Sequence, residues 1–137
     1  MVAAIGTFLY LLTPPEHPIP HVKTDGISVP VTEGSYCWEG PLSANCVDKV
    51  YANPIEMGKQ HEPTDVMPNQ TIKITFDTMP TKNSLKIERW IEGGSSEKVK
   101  LNHSKLHAPS QKGTYFYLIT ANWEQGDGKY SFSIKVE

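Results

Sequence analysis

The segment "GTYFYLITANWEQGDGKYSFSIKV", residues 113–136, decides the fold class because each of its halves carries an alternating stripe of large apolar side chains. Successive side chains of a β-strand point to opposite faces, so each half can turn one stripe towards a core. The central "EQGDGK", residues 124–129, supplies glycines that accept positive φ and is typical of a hairpin turn. The segment therefore predicts two long antiparallel strands with these inward stripes: Tyr115, Tyr117, Ile119, Ala121 and Trp123, then Tyr130, Phe132, Ile134 and Val136.

Shorter segments upstream show the same period of two. Apolar residues alternate with polar ones over residues 72–76, 85–91 and 99–101, which predicts three further strands. The segment "EGGSSE", residues 92–97, predicts a hairpin turn, and residues 27–31 predict an early strand. The segment "IEMGKQ", residues 55–60, is long enough for one helical turn at most.

Seven or so short strands separated by turns predict an all-β fold, an antiparallel two-sheet sandwich of the immunoglobulin-like kind. The predicted core comprises Ile72, Ile74, Phe76, Ile87, Tyr117, Ile119, Phe132 and Ile134. Tyr115 follows a loop at the start of the long strand, where a tyrosine corner would lie. An ordinary core tyrosine at this position is an equal alternative.

The length and charge of the chain limit the classes of protein to which it can belong. A chain of 137 residues predicts one domain, large enough to bury a real core. The formal net charge is −2, so no strong positive field indicates a nucleic-acid partner.

The N-terminus "MVAAIGTFLYLLTPP" is the one strongly apolar stretch, and the run from Val2 to Leu12 is shorter than the roughly 20 residues that span a bilayer. Three interpretations stay open: part of a signal or anchor helix that begins upstream, an atypical complete signal segment, or an ordered element of the domain. The proline-rich residues 13–21 are then predicted to form a stiff spacer. The predicted division is 1–21 for this remnant and spacer and 22–137 for the sandwich domain.

The only two cysteines, Cys37 and Cys46, are separated by eight residues. A disulfide is the favoured interpretation, and it agrees with the export that the N-terminus suggests. Free thiols and a catalytic cysteine are the alternatives, although neither a C-x-x-C motif nor a histidine-rich metal pattern accompanies the pair. Trp38, next to Cys37, can be buried over the disulfide or presented to a ligand.

The sequence contains "SYCW" at residues 35–38, a second cysteine before Val47, and "GTYFY" followed by a tryptophan, a glycine turn and an aromatic last strand. This set of motifs resembles a family of small, mostly uncharacterised exported domains of Gram-positive bacteria. The resemblance covers about residues 27–136 and implies a secreted or membrane-anchored protein, without any activity that carries over. The chain lacks the lipid-modified cysteine that many members carry, so the mode of anchoring is an open point.

Three aromatic residues are candidates for a binding surface: Trp38, Trp90 and Phe116. Trp90 and Phe116 lie on the stripes opposite the predicted core, so they mark a ligand surface if those stripes face solvent. If the strands are covered on both sides, these two residues are core, and this second interpretation is favoured.

No residues in the sequence form a catalytic or metal-binding motif, so no catalytic residue, metal or cofactor is predicted. His103 and His107 are four apart, and a metal site would need them to join a carboxylate such as Glu62 or Asp65. The predicted function is a non-catalytic extracytoplasmic module that binds or senses an unknown protein or cell-envelope ligand. The alternatives are a spacer domain of a larger membrane protein and an enzyme accessory domain with a loop site near His103 and His107.

Overall fold

The computed structural model describes residues 17–40 and 42–137, which form eleven strands and one short helix. The strands are β1 (His21–Thr24), β2 (Ile27–Ser28), β3 (Thr32–Glu39), β4 (Ala44–Val47), β5 (Thr64–Val66), β6 (Thr71–Thr75), β7 (Lys86–Ile91), β8 (Ser96–Val99), β9 (Lys105–His107), β10 (Gly113–Trp123) and β11 (Gly126–Val136). The helix α1 (Pro54–Gly58) lies between β4 and β5. The interpretations of Val2–Leu12 fall outside the described residues.

Two sheets pack face to face, which confirms the predicted all-β sandwich. The smaller sheet has the order β2-β1-β6-β9. The larger sheet has the order β4-β3-β11-β10-β7-β8, with β5 added parallel to β11. The connectivity is immunoglobulin-like: β1, β6 and β9 take the places of strands A, B and E, and β11, β10, β7 and β8 those of G, F, C and C′.

One long insertion distinguishes this sandwich from a plain immunoglobulin-like domain. Residues 27–63 lie between the strand that pairs with β6 and the strand that pairs in parallel with β11. This insertion contains β2, the β3–β4 hairpin and α1. Its strands β3 and β4 extend the larger sheet beyond β11, and its helix α1 lies on the outer face of that sheet.

The core between the sheets contains the eight residues that the sequence predicts. Each of them is at most 6% exposed: Ile72, Ile74, Phe76, Ile87, Tyr117, Ile119, Phe132 and Ile134. At the centre, the rings of Tyr117 and Phe132 are stacked with centroids 4.6 Å apart. These two residues face each other across the β10–β11 ladder, so one aromatic pair joins the two longest strands.

The β10–β11 turn is shorter than the sequence suggests. It consists of Glu124 and Gln125 alone, and Gly126 and Gly128 lie inside β11. Both positions require glycine because an atom of another residue lies too close to leave room for a Cβ. A Cβ on Gly126 would lie 1.9 Å from the carbonyl oxygen of Cys37, and one on Gly128 would lie 2.3 Å from the Tyr130 hydroxyl.

Tyr115 makes the contact that defines a tyrosine corner. Its hydroxyl donates a hydrogen bond of 2.7 Å to the carbonyl oxygen of Gln111, four residues upstream. The ring itself is buried in the core, so the residue fulfils both of the predicted roles. The contact fixes the loop that leads into β10.

Residues 17 and 18, which precede β1, pack on the domain, while residues 13–16 of the predicted spacer lie outside the described part of the chain. His17 stacks on Tyr36 with ring centroids 3.6 Å apart, and its imidazole hydrogen-bonds to Glu33. The Tyr130 hydroxyl donates to the carbonyl oxygen of Pro18. The packed unit therefore includes residues from His17 onwards, upstream of the predicted boundary at 22.

Because Tyr117 and Tyr130 are buried, we expect the protein to lose stability at alkaline pH. Burial raises the pKa of Tyr117, and burial together with the carboxylates of Glu33 and Asp127 raises the pKa of Tyr130 well above its ordinary value. Above about pH 10 the unfolded chain therefore loses phenol protons that the folded chain keeps, so the free energy of unfolding falls as pH rises. We expect urea denaturation to show this fall between about pH 9 and 11.

The variant Tyr130→Phe isolates the contribution of one phenol to this pH dependence. It should flatten the fall above about pH 10, since it removes one of the two protons involved. The variant will also be less stable at neutral pH, because it loses the hydrogen bond to Pro18. An unchanged alkaline slope in Tyr130→Phe would contradict this assignment.

Candidate functional site

The outer face of the larger sheet is the candidate ligand surface of the molecule. It carries the side chains that point away from the core, among them Phe116, Leu118 and Thr120 of β10 and Trp90 of β7. Helix α1 covers one end of this face, and the remainder is open within the described part of the chain. We call this uncovered remainder, around Glu88, Leu118, Thr120, Asp127 and Lys129, the open outer face.

The local sequence explains why α1 forms where it does. Asn53 caps the helix by accepting a hydrogen bond of 2.9 Å from the backbone N–H of Glu56. Pro54 occupies the first turn, where its missing N–H costs nothing. The helix buries Ile55 and Met57 against the sheet, and this confirms the single helical turn predicted for residues 55–60.

Small residues let α1 approach the sheet closely. A Cβ on Gly58 would lie 2.6 Å from the ring of Phe116, and a Cβ on Gly34 would lie 2.9 Å from the terminal methyl of Met57. Ser131 and Ser133 of β11 lie beneath the helix, and both are buried. The helix thus closes a second, smaller apolar cluster on the outer side of the sheet.

Phe116 belongs to this second cluster and is only 3% exposed, so it is not part of an exposed binding surface. The physical reason is the insertion, since α1 covers the ring that would otherwise face solvent. This agrees with the interpretation that placed Phe116 in the core.

Trp38 is also buried, at 9% exposure, and is likewise not a surface residue. It points into the space between the sheets, where its ring packs edge-on against Trp123 at a centroid distance of 5.7 Å. Phe76 packs edge-on against the same Trp123, whose indole N–H donates to the carbonyl oxygen of Thr78. Trp38 therefore closes one end of the core and does not lie over the disulfide.

Trp90 is the one residue of the proposed aromatic set that keeps part of its ring in solvent. It is half-buried on β7, opposite Phe116 and therefore at the border between α1 and the open outer face. Its indole N–H donates to the carboxylate of Glu88 at 3.1 Å, which holds the ring along the strand. An oriented, half-buried tryptophan is a good anchor for a ligand.

The two cysteines lie on the same outer face, at its other border. Cys37 of β3 and Cys46 of β4 face each other directly, with Cα atoms 4.1 Å apart, and their sulfur atoms are at disulfide distance. Both residues are exposed. A groove of about 210 Å³ lies beside them, lined by Tyr36, Cys37, Asp48, Thr120, Asp127 and Lys129 among others.

We expect removal of the disulfide to lower the free energy of unfolding by a measurable amount. The bridge closes a loop with a sequence separation of 9, for which the chain-entropy relation gives about 2.5–3 kcal/mol. The double variant Cys37→Ser, Cys46→Ser should lose about that free energy of unfolding in urea, and the parent protein should lose as much on reduction. A reductant effect that persists in the double variant would contradict the prediction, as would two free thiols in the mass spectrum of the unreduced protein.

The histidine pair of the alternative loop site does not assemble into a metal centre. His103 and His107 are both exposed, and His107 lies near the hydroxyl of Thr71 and the carbonyl oxygen of Asn69. Within residues 17–40 and 42–137, no three histidine, cysteine or carboxylate side chains gather closely enough to hold a metal ion.

Another groove, of about 380 Å³, lies where α1 ends and is lined by residues 59–63 with Glu92, Thr114 and Phe116. The Lys59 ammonium contacts the carboxylates of Glu92 at 2.8 Å and Glu56 at 3.5 Å, which raises its pKa. The ammonium of Lys59 and the carboxylate of Glu92 therefore form an exposed ion pair at this groove, and such pairs contribute little to stability.

Helix α1 spans five residues, and in the part of the chain that the structure describes no helix reaches the length and apolarity of a membrane span.

No protein-family model, curated protein or solved structure matches this chain.

Proposed function

We propose that this protein is a non-catalytic binding module that acts outside the cytoplasm at a bacterial cell surface, with the open outer face as its ligand surface. The observation that carries the proposal is the position of Trp90. The core and the α1 cluster bury the other large aromatic candidates, whereas this ring is oriented by Glu88 and left half-open on an uncovered sheet face. The ligand class we infer is a protein or another cell-envelope component.

The extracytoplasmic location is supported by the cysteine pair. Two cysteines at disulfide distance, both exposed, fit an oxidising compartment better than the cytosol, where thiols are kept reduced. The resemblance of the "SYCW" and "GTYFY" motifs to exported Gram-positive domains points to the same compartment and to secretion or anchoring at the outer face of the membrane.

A binding experiment on cells tests the proposal. The full chain, fluorescently labelled, is added to intact Gram-positive cells and to isolated envelope, and bound protein is measured by flow cytometry and sedimentation. We expect saturable binding that Trp90→Ala weakens at least about tenfold, which is the scale of a central aromatic contact.

The matched control is Ile27→Ala on the smaller sheet. Ile27 is 59% exposed, so this variant also truncates an apolar side chain but leaves the open outer face intact. It should bind like the parent. Equal binding by Trp90→Ala and the parent, with both folded, would refute the assignment of the ligand surface.

A spacer domain is the second candidate, and the packing of the segment before β1 favours it. The contacts of His17 with Tyr36 and Glu33 and of Pro18 with Tyr130 fix the direction in which the chain enters the sandwich. A rigid entry suits a domain that holds its neighbours at a set distance and angle. Under this alternative, neither Trp90→Ala nor the parent binds cells or envelope.

A further inference from the structure

We propose that the outer face of the smaller sheet binds a linear chain of phosphate groups through three lysines that lie side by side. Lys23 of β1 is directly opposite Lys73 of β6, and Lys73 is directly opposite Lys105 of β9. All three side chains are exposed. We call these three residues the lysine row.

The three ammonium groups point to the same side of the sheet. Residues directly opposite each other in an antiparallel ladder share a face, and the neighbours of each lysine along its strand, among them Val22, Ile72 and Leu106, are buried on the other face. Neighbouring strands lie about 4.8 Å apart, so the row spans about 10 Å in a straight line across the strands. The row is therefore a linear array of positive charge.

This arrangement is unfavourable for the isolated sheet, since like charges directly opposite each other destabilise a β-ladder. The larger sheet shows the stabilising arrangement, because Glu88 faces Lys98 and Arg89 faces Glu97 across the β7–β8 ladder. Sequences depart from favourable local patterns chiefly at functional sites. The repulsion within the row accordingly points to a negatively charged partner.

The protein itself does not neutralise the row. Within residues 17–40 and 42–137, every ion pair between a lysine and a carboxylate belongs to a lysine outside the row. Asp77, which lies just after β6, bonds instead to the imidazole of His21 at 3.0 Å. The three charges are thus available to a ligand.

Protection of a sheet edge does not account for the row either. Lysines on an edge strand discourage pairing with other chains, and this reason covers Lys105 on β9. Lys23 and Lys73 lie on β1 and β6, the two inner strands, which have a neighbour on both sides. Two of the three lysines therefore need another explanation.

Hydroxyl groups and a shallow groove accompany the lysines. Ser28 of β2 faces Lys23, and Thr71 and Thr75 lie two positions before and after Lys73 on the same face. A groove of about 280 Å³ lies on this face, and its lining residues are His21, Lys23, Lys73 and Thr75. Ammonium and hydroxyl donors together are the groups with which proteins contact phosphate oxygens.

The same face lacks the features of a nucleic-acid surface. Proteins that bind single-stranded nucleic acid combine positive charge with aromatic side chains on which the bases stack. The sequences of β1, β2, β6 and β9 contain no tryptophan, tyrosine or phenylalanine. The face therefore provides contacts for the phosphates of a chain and none for stacked bases.

Calorimetric titration of the full chain with a short inorganic polyphosphate tests the proposal. At about 50 mM salt we expect a dissociation constant of about 10⁻⁴ M or tighter, the scale of sequence-independent phosphate binding. Since about three phosphates are neutralised, the logarithm of the association constant should fall with the logarithm of the salt concentration with a slope of about −2. Orthophosphate cannot bridge the row and should bind at least about tenfold more weakly.

The variant Lys73→Gln removes the central charge and keeps a long polar side chain. It should weaken polyphosphate binding at least about fivefold and reduce the magnitude of the salt slope by about 0.7. Urea denaturation should show no loss of stability, because the variant relieves repulsion between like charges. The matched control is Lys98→Gln on β8, which makes the same change in net charge at an exposed position of the larger sheet and should bind like the parent.

Three results would overturn the proposal: no binding of polyphosphate by the parent, equal weakening by Lys73→Gln and Lys98→Gln, or equally tight binding of single-stranded DNA with the same number of phosphates. Trp90→Ala should bind polyphosphate like the parent, because Trp90 lies on the larger sheet. The lysine row and the open outer face can therefore be tested independently of each other.

Discussion

The variant Phe132→Ala should lose about 3–5 kcal/mol of unfolding free energy, the range measured when a buried aromatic is truncated in a core. Phe132 is 1% exposed and stacks on Tyr117, which is 0% exposed, so the cavity opens at the centre of the β10–β11 ladder. The loss combines the removal of apolar surface from the core with the cavity that the two sheets cannot fill.

Urea denaturation followed by tryptophan fluorescence measures this loss. The control is Ile91→Ala, which truncates an apolar side chain of the same sheet at a position that is 43% exposed. It should lose well under half as much free energy. Similar losses for the two variants would show that the core is not centred on the aromatic pair.

The variant Gly126→Ala should be among the most damaging single-methyl changes in the chain. Its Cβ would lie 1.9 Å from the carbonyl oxygen of Cys37 and 2.9 Å from the carbonyl carbon, and both atoms belong to the backbone of β3. A side chain can rotate away from such a contact, but a paired strand can only separate from its neighbour. We expect a loss of about 3 kcal/mol or more, at the upper end of what overpacking costs.

Hydrogen exchange shows where the damage from Gly126→Ala occurs. The backbone N–H groups of β3 should lose protection in this variant, while those of β7 and β10 keep it. Lys129→Ala, on the same strand but exposed, is the control and should change stability by less than about 0.5 kcal/mol. Full stability in Gly126→Ala would show that β3 and β11 lie farther apart than described.

The parts of the fold that the sequence predicts are those encoded by local alternation. The inward stripes of β10 and β11 and the residues Ile72, Ile74 and Ile87 can each be identified from a period of two, because burial on one face selects apolar side chains at every second position. The turn at residues 92–97 is likewise local, and the structure has a hairpin there.

The parts that local pattern could not supply depend on contacts between distant segments. Nothing near Phe116 in the sequence shows that a helix made of residues 54–58 lies on it. The glycines of "EQGDGK" indicate a wide turn when considered alone, whereas Gly126 is required by the approach of β3 from about 90 residues upstream. The inward position of Trp38 likewise follows from the pairing of β3 with β11.

The sequence predicts one residue of the candidate site, but it does not predict how far the exposed surface around that residue extends. Trp90 could be named from its stripe, yet its half-burial follows from where α1 ends on the sheet.

The central position of β11 has a consequence for the order in which the larger sheet can form. β11 pairs with β3, β5 and β10, so none of these three pairings can form before residues 126–136 have been synthesised. The bond from Cys37 to Asp127 alone spans 90 residues. Such long-range pairing is slow to form and cannot proceed strand by strand during synthesis. The β3–β4 hairpin, whose cysteines are 9 positions apart, can form its disulfide before β11 has been synthesised, so a covalent link is in place in β3 before its pairing with β11.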